Sequence, residues 1–117
     1  MTDIELKELL TFLTQEFSEN EWVEYKHNFH SKEEIGERIS ALSNSACLNN
    51  KAFAYLIYGV EDGTRKIIGT DFHALSKKVG NEELEIWLRM HISPRIDYET
   101  IEFDYTDNIH ILMEYDN

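Results

Sequence analysis

The sequence predicts an α+β domain in which a mixed or antiparallel sheet carries packed helices. Three observations lead there. Helical and strand periods follow one another in the order α-β-α-β-β-α-β-β. Residues 52–60, Ala-Phe-Ala-Tyr-Leu-Ile-Tyr-Gly-Val, are nearly all apolar, as a central strand covered on both faces would be. Residues 95–104 and 109–115 alternate apolar and polar side chains around Asp107-Asn108, which reads as a hairpin.

Each element has its own signal. Leu6, Leu9, Leu10, Leu13 and Phe17 fall on one helical face, with Thr2 or Asp3 as N-cap. Such a helix docks on the domain or guards its edge. Trp22-Val23-Glu24-Tyr25-Lys26 is a short strand that puts Trp22, Glu24 and Lys26 on one face and Val23 and Tyr25 on the other. Residues 32–46 form the clearest helix: Ser31 and Glu34 make a capping-box pattern, and Ile35, Ile39, Leu42 and Ala46 share a stripe. Cys47, at the end of that stripe, reads as a small core residue. Asp62-Gly63 signals a turn, and Lys66-Ile67-Ile68-Gly69 a return strand, so residues 54–69 read as a hairpin. Asn81 is read as the cap of a further helix, with Glu82 and Glu83 in its first turn and Leu84, Trp87 and Leu88 on its stripe. Ser93-Pro94 then ends it.

A length of 117 residues fits one domain. A hydrophobic fraction of 42%, with two Trp, six Tyr and six Phe, is that of a folded chain. The formal charge of −12 repels polyanions at long range, so a nucleic-acid site has to be a local cluster of cations. One cysteine excludes an internal disulfide and a cysteine-rich zinc site. No secretory signal opens the chain and no apolar run approaches spanning length, which gives the expectation of a soluble, cytoplasmic protein without membrane contact. No Gly-x-x-x-x-Gly-Lys-Ser/Thr loop is present, and no Ser-His-Asp or Cys-His arrangement is signposted. His27 and His30, like His73, His91 and His110, read as surface or half-buried residues. Most of Trp22, Tyr25, Phe53, Tyr55, Tyr58 and Trp87 follow strand or helix periods and read as core.

Several ordered pieces carry a resemblance. They are Glu19-x-x-x-x-Glu24-Tyr25-Lys26, Ile39-Ser40-Ala41-Leu42-Ser43-Asn44, Tyr55-Leu56-Ile57-Tyr58-Gly59-Val60-Glu61-Asp62, Ile67-Ile68-Gly69-Thr70 and Ser93-Pro94-Arg95-Ile96. In that order they resemble the Schlafen/AlbA-like family of DNA-binding domains. These often stand at the N-terminus of bacterial proteins described as transcriptional regulators or as RecG-helicase-related. The resemblance implies an AlbA-like domain over residues 19–117, which leaves residues 1–18 as the N-terminal helix read from the leucine periodicity. It departs from the family where Lys51-Ala52-Phe53-Ala54 stands in place of a Gly-Gly before the central strand.

The family's default activity, nucleic-acid binding, would fall on Lys26, Lys51, Arg65, Lys66 and Arg95, whose charges suit phosphates. An alternative follows from eukaryotic Schlafen relatives, which cleave RNA with two Glu five residues apart and an Asp after the central strand. Here those positions are Glu19, Glu24 and Asp62, and they would ligate Mg²⁺ or Mn²⁺. On a straight strand Glu19 and Glu24 face opposite ways, so Glu19 has to lie on a bend; Glu21 and Glu61 are competing ligands. Glu24-x-Lys26 also has the spacing of restriction-type nucleases, without their preceding Asp. A third reading is a structural or oligomerisation module, dimeric or joined to further C-terminal domains. The expectation for this chain alone is a binding module, not an enzyme, with no cofactor outside the nuclease alternative.

Overall fold

In a computed structural model of the chain, residues 2–17, 22–48, 53–79, 82–91 and 98–116 are described. The first helix, α1 (Asp3–Glu16), starts at Thr2. The Thr2 side chain accepts from the Glu5 amide while the Glu5 carboxylate accepts from the Thr2 amide, so two of the helix's orphan N–H groups are satisfied together. Strand β1 (Val23–Lys26) leads into α2 (Lys32–Leu48), and the Ser31 hydroxyl accepts from the Glu34 amide. Strand β2 (Ala54–Tyr58) is buried along its whole length. After a long loop and a 3₁₀ turn at Ala74–Ser76 come two short strands, β3 (Lys78–Val79) and β4 (Glu82–Glu83), and helix α3 (Leu84–His91). A hairpin of β5 (Tyr98–Thr106) and β6 (Ile109–Asp116) follows.

The main sheet has the order β1-β2-β6-β5. β1 and β2 are parallel, joined through α2 as parallel neighbours require; β6 runs antiparallel to both β2 and β5. The sheet is therefore mixed and open, and helices cover both faces. On one face, Leu6, Leu10 and Leu13 of α1 pack on Val23, Tyr25, Tyr55, Ile57, Phe103, Ile111 and Met113. On the other, Ile35, Ile39, Leu42 and Ala46 of α2 and Leu84 and Leu88 of α3 pack on Ala54, Leu56, Tyr58, Tyr98 and Leu112. The predicted stripes of α1 and α2 are thus the ones that are buried. The Tyr25 hydroxyl reaches two backbone carbonyls, Leu13 O at 2.9 Å and Phe17 O at 2.8 Å, and so ties the last turn of α1 to the sheet.

Three local expectations are corrected. Cys47 is exposed: it stands one residue, about 100°, beyond the stripe that ends at Ala46. Lys66–Gly69 is no strand but a single bridge, Val60 to Ile67, because Gly59 O then captures the amides of both Ile68 and Gly69. Glu82 and Glu83 pair with Val79 and Lys78 in a strand ladder, and the helix begins only at Leu84; Asn81, its expected cap, lies outside the described residues. Among the described residues no helix is long and apolar enough to cross a membrane.

Candidate functional site

The parallel pair β1 and β2 end side by side, and four loops or strand ends converge there. The amides of Gly59 (2.8 Å) and Val60 (3.2 Å) both donate to Lys26 O. Gly59 has φ +113°, and a Cβ there would meet Ile111 Cδ1 at 2.6 Å, so only glycine lets the chain pass this close to β6. From Gly59 the loop folds over the strand ends. Thr70 N donates to His110 O at 2.8 Å, and Asn28 Oδ1 accepts from Thr70 Oγ1 at 2.9 Å and from Asp71 N at 3.1 Å. Buried Phe72 packs against Phe29 and Tyr58. Carboxyl ends of parallel strands in open sheets are a common location for ligand sites.

Of the expected acidic triple, Glu24 and Asp62 are described, while Glu19 and the competing Glu21 lie outside the described residues. Glu24 faces α2 from β1 and is 7% exposed. Its Oε1 lies 3.5 Å from Arg38 Nε and 3.9 Å from Lys26 Nζ. A metal held by that oxygen would share it with two cations already present. Asp62 sits in the exposed turn that follows β2, beyond the last pair of the β1–β2 ladder, Lys26 with Tyr58. Glu24 is two residues, roughly 7 Å, inside that end. Glu61, the competing ligand in the turn, accepts from the Thr64 hydroxyl at 2.8 Å.

Of the five expected cations, Lys51 and Arg95 lie outside the described residues. Lys26 ends β1. Arg65 and Lys66 occupy the turn hung from the same strand end, where Glu61 N donates to Lys66 O at 2.8 Å. Arg65 takes a left-handed φ of 60°, and its Nη1 donates at 3.5 Å to Gln15 O, in the last turn of α1 where a cation complements the helix dipole. Arg38 was not anticipated. Its signal was present: it lies three residues after Ile35 and four before Leu42, on the flank of the buried stripe. Among the aromatics, Tyr25, Tyr55 and Tyr58 are buried as expected, and Phe53 is exposed at the opposite end of β2.

A second group was missed altogether. On β5 and β6, Glu102 Oε1 lies 2.8 Å from His110 Nε2, and Asp104 Oδ1 lies 3.1 Å from His110 Nδ1. His73, from the loop, stacks on the His110 ring at 4.2 Å and puts Nδ1 3.3 Å from the same Glu102 oxygen. Hairpin register carried part of this signal, since a turn at Asp107-Asn108 brings Asp104 opposite His110. Asn108 accommodates the required φ of 65°. His73 belongs to no periodic element, so nothing in the sequence ties it to the pair.

The same face buries one more acid. Glu114 on β6 is 2% exposed, and burial pushes its carboxyl well above the usual carboxylate range against the opposing pull of its bond with Thr100. Thr100 Oγ1 lies 2.6 Å from both Glu114 Oε2 and Glu85 Oε1. A hydroxyl has one hydrogen to give, so one of these carboxyls has to carry a proton, and the buried Glu114 is the one whose ionisation is disfavoured.

The crystal structure of the DIP2311 protein from Corynebacterium diphtheriae is similar at 17% identity and a TM-score of 0.49, covering 97% of this chain and 25% of that one. This chain thus spans a quarter of that protein's chain. No curated protein matches. The model of the family described as Schlafen, AlbA_2 matches residues 19–117, from before β1 to the end of the chain. The chain belongs to the Schlafen, AlbA_2 family.

Proposed function

We propose that this chain is a nucleic-acid-binding domain that contacts phosphates at the end of the sheet where β1 and β2 finish, and that it serves a larger regulator or helicase-related protein. The observation that carries this reading is that the backbone bonds of Gly59, Val60 and Glu61 bring the chain at Lys26 and at the Arg65-Lys66 turn to one strand end, with the Lys26 side chain beside Glu24 and the Arg65 side chain reaching the end of α1. Membership of the Schlafen, AlbA_2 family supports it. The net charge of −12 confines attraction to the few cations near that strand end and makes binding strongly dependent on salt.

The test is fluorescence anisotropy with labelled RNA and duplex DNA at low salt, with and without Mn²⁺, while probe length is followed on gels. A rise that falls with added salt, with intact probe, is the expected result. Lys26→Ala should then lower the slope of log affinity against log salt by about one, as the loss of one phosphate contact does. No rise on either probe overturns the proposal. Metal-dependent fragments, lost in Glu24→Gln, would instead favour a ribonuclease using Glu19, Glu24 and Asp62. A concentration-dependent mass without either effect would favour an oligomerisation module.

A further inference from the structure

We propose that His73, Glu102 and His110 form a binding site for a divalent transition metal, separate from the acidic triple and from the cations at the strand end. The three residues offer two imidazole nitrogens and a carboxylate oxygen, all within 4.8 Å of one another. This donor set suits zinc and the neighbouring first-row metals, unlike Mg²⁺, which favours oxygen ligands alone. With metal–ligand bonds of about 2.0–2.1 Å, tetrahedral geometry sets donors roughly 3.4 Å apart. The contacts from Glu102 Oε1, 2.8 Å to His110 Nε2 and 3.3 Å to His73 Nδ1, are already near that spacing.

Two features go beyond proximity. Asp104 Oδ1, at 3.1 Å from His110 Nδ1, favours a hydrogen on that nitrogen, which turns the Nε2 lone pair to Glu102. A lone pair and a carboxylate oxygen 2.8 Å apart repel each other unless a positive centre lies with them, and either a proton or a metal ion can be that centre. The carboxylate behind the histidine is the arrangement that orients imidazole ligands in metal proteins. The scaffold is also fixed. Glu102 and His110 stand on paired strands, and Thr70 N binds His110 O. His73 lies between buried Phe72 and Ala74, so its backbone is anchored while its side chain, 56% exposed, is free to turn its ring from the stack to the metal. An ion here would clip the 59–77 loop to the β5–β6 hairpin and leave its remaining coordination open to solvent.

The experiment uses the full chain, stripped with a chelator and titrated with Zn²⁺ by calorimetry, with Co²⁺ absorption as a spectroscopic reading of nitrogen ligands. One Zn²⁺ per chain is expected, with a dissociation constant in the micromolar range or tighter. His73→Asn and His110→Ala should each weaken it at least tenfold, and Asp104→Ala about tenfold through the lost orienting bond. His27→Ala and Glu24→Gln should leave it unchanged. His73 is exposed, so its variant keeps the fold, and circular dichroism checks the others. Stoichiometric binding that survives His73→Asn and His110→Ala, or no binding above what an acidic surface gives at high salt, overturns the proposal.

Discussion

The two faces of one sheet differ in kind. Towards α1, β1, β2 and β6 present Val23, Tyr25, Tyr55, Ile57, Ile111 and Met113, and the fully buried Tyr25 hydroxyl is engaged by the helix. Towards α2 and α3, two cross-strand rows run Glu24, Leu56, Glu114, Thr100 and Lys26, Tyr58, Leu112, Glu102. There Leu56, Tyr58 and Leu112 share the two central strands with buried Glu114, while Glu24, Lys26, Thr100 and Glu102 lie on the edge strands, met by Arg38 from α2 and by Glu85 and Arg89 from α3. Burying polar groups costs free energy unless they find partners. The comparison therefore teaches a division of labour: the α1 face supplies cohesion, and the opposite face gives part of it up to hold charges in fixed places.

The largest effect should come from the cohesive face. Leu10 is fully buried in the α1–sheet core. Leu10→Ala should destabilise the chain by about 2–5 kcal/mol, through lost burial and the cavity left behind. Urea unfolding measures it. Zinc and nucleic-acid affinities of the folded fraction should stay at their original values. A cost below about 1 kcal/mol would mean that α1 is an accessory, and the division between faces would fail.

The sequence made the local half of this picture legible. The stripes of α1 and α2, the cap at Thr2 and the turn at Asp107-Asn108 depend on residues a few positions apart, and each is found in the structure. Long-range pairing was not legible. Nothing local says that β6 inserts beside β2 and leaves β1 and β5 at the edges. Glu114 reads as the solvent-facing member of an alternating strand, yet Thr100 and Glu85 enclose it, because helices cover both sides of the sheet. The expected return strand at 66–69 dissolved for a related reason: Gly59 O takes the amides of Ile68 and Gly69, and His110 O, far off in sequence, takes the next one, Thr70 N. Glu24, Lys26 and Asp62 could be picked out as chemistry-bearing residues, but Arg38 and His73 reach the site only through tertiary packing.

A smaller effect tests how the cohesive face holds the Tyr25 hydroxyl. Tyr25→Phe removes the donor shared by Leu13 O and Phe17 O while keeping the ring. The expected cost is about 1–3 kcal/mol, since buried carbonyls at the helix end lose their partner. Amide hydrogen exchange should speed up in the last turn of α1 before it does in β2. Uniform acceleration would show that the hydroxyl serves global stability and not the docking of that turn.

The smallest effect should separate the faces by pH. Glu114 faces Thr100, Glu85 and Arg89 and has Glu102 and the Tyr98 hydroxyl near it; its Oε1 and that hydroxyl have no hydrogen-bond partner among the described residues. Its folded-state carboxyl titrates above its unfolded value, because burial disfavours the charge. The stability it contributes is therefore complete below the unfolded value and is lost as pH rises through the folded one. Glu114→Gln removes the titration and keeps the shape. The variant should match the parent near pH 4, where both side chains are neutral, and exceed it by about 1 kcal/mol at about pH 8. A variant less stable than the parent at the higher pH would mean that the ionised carboxylate is the form this face is built to hold.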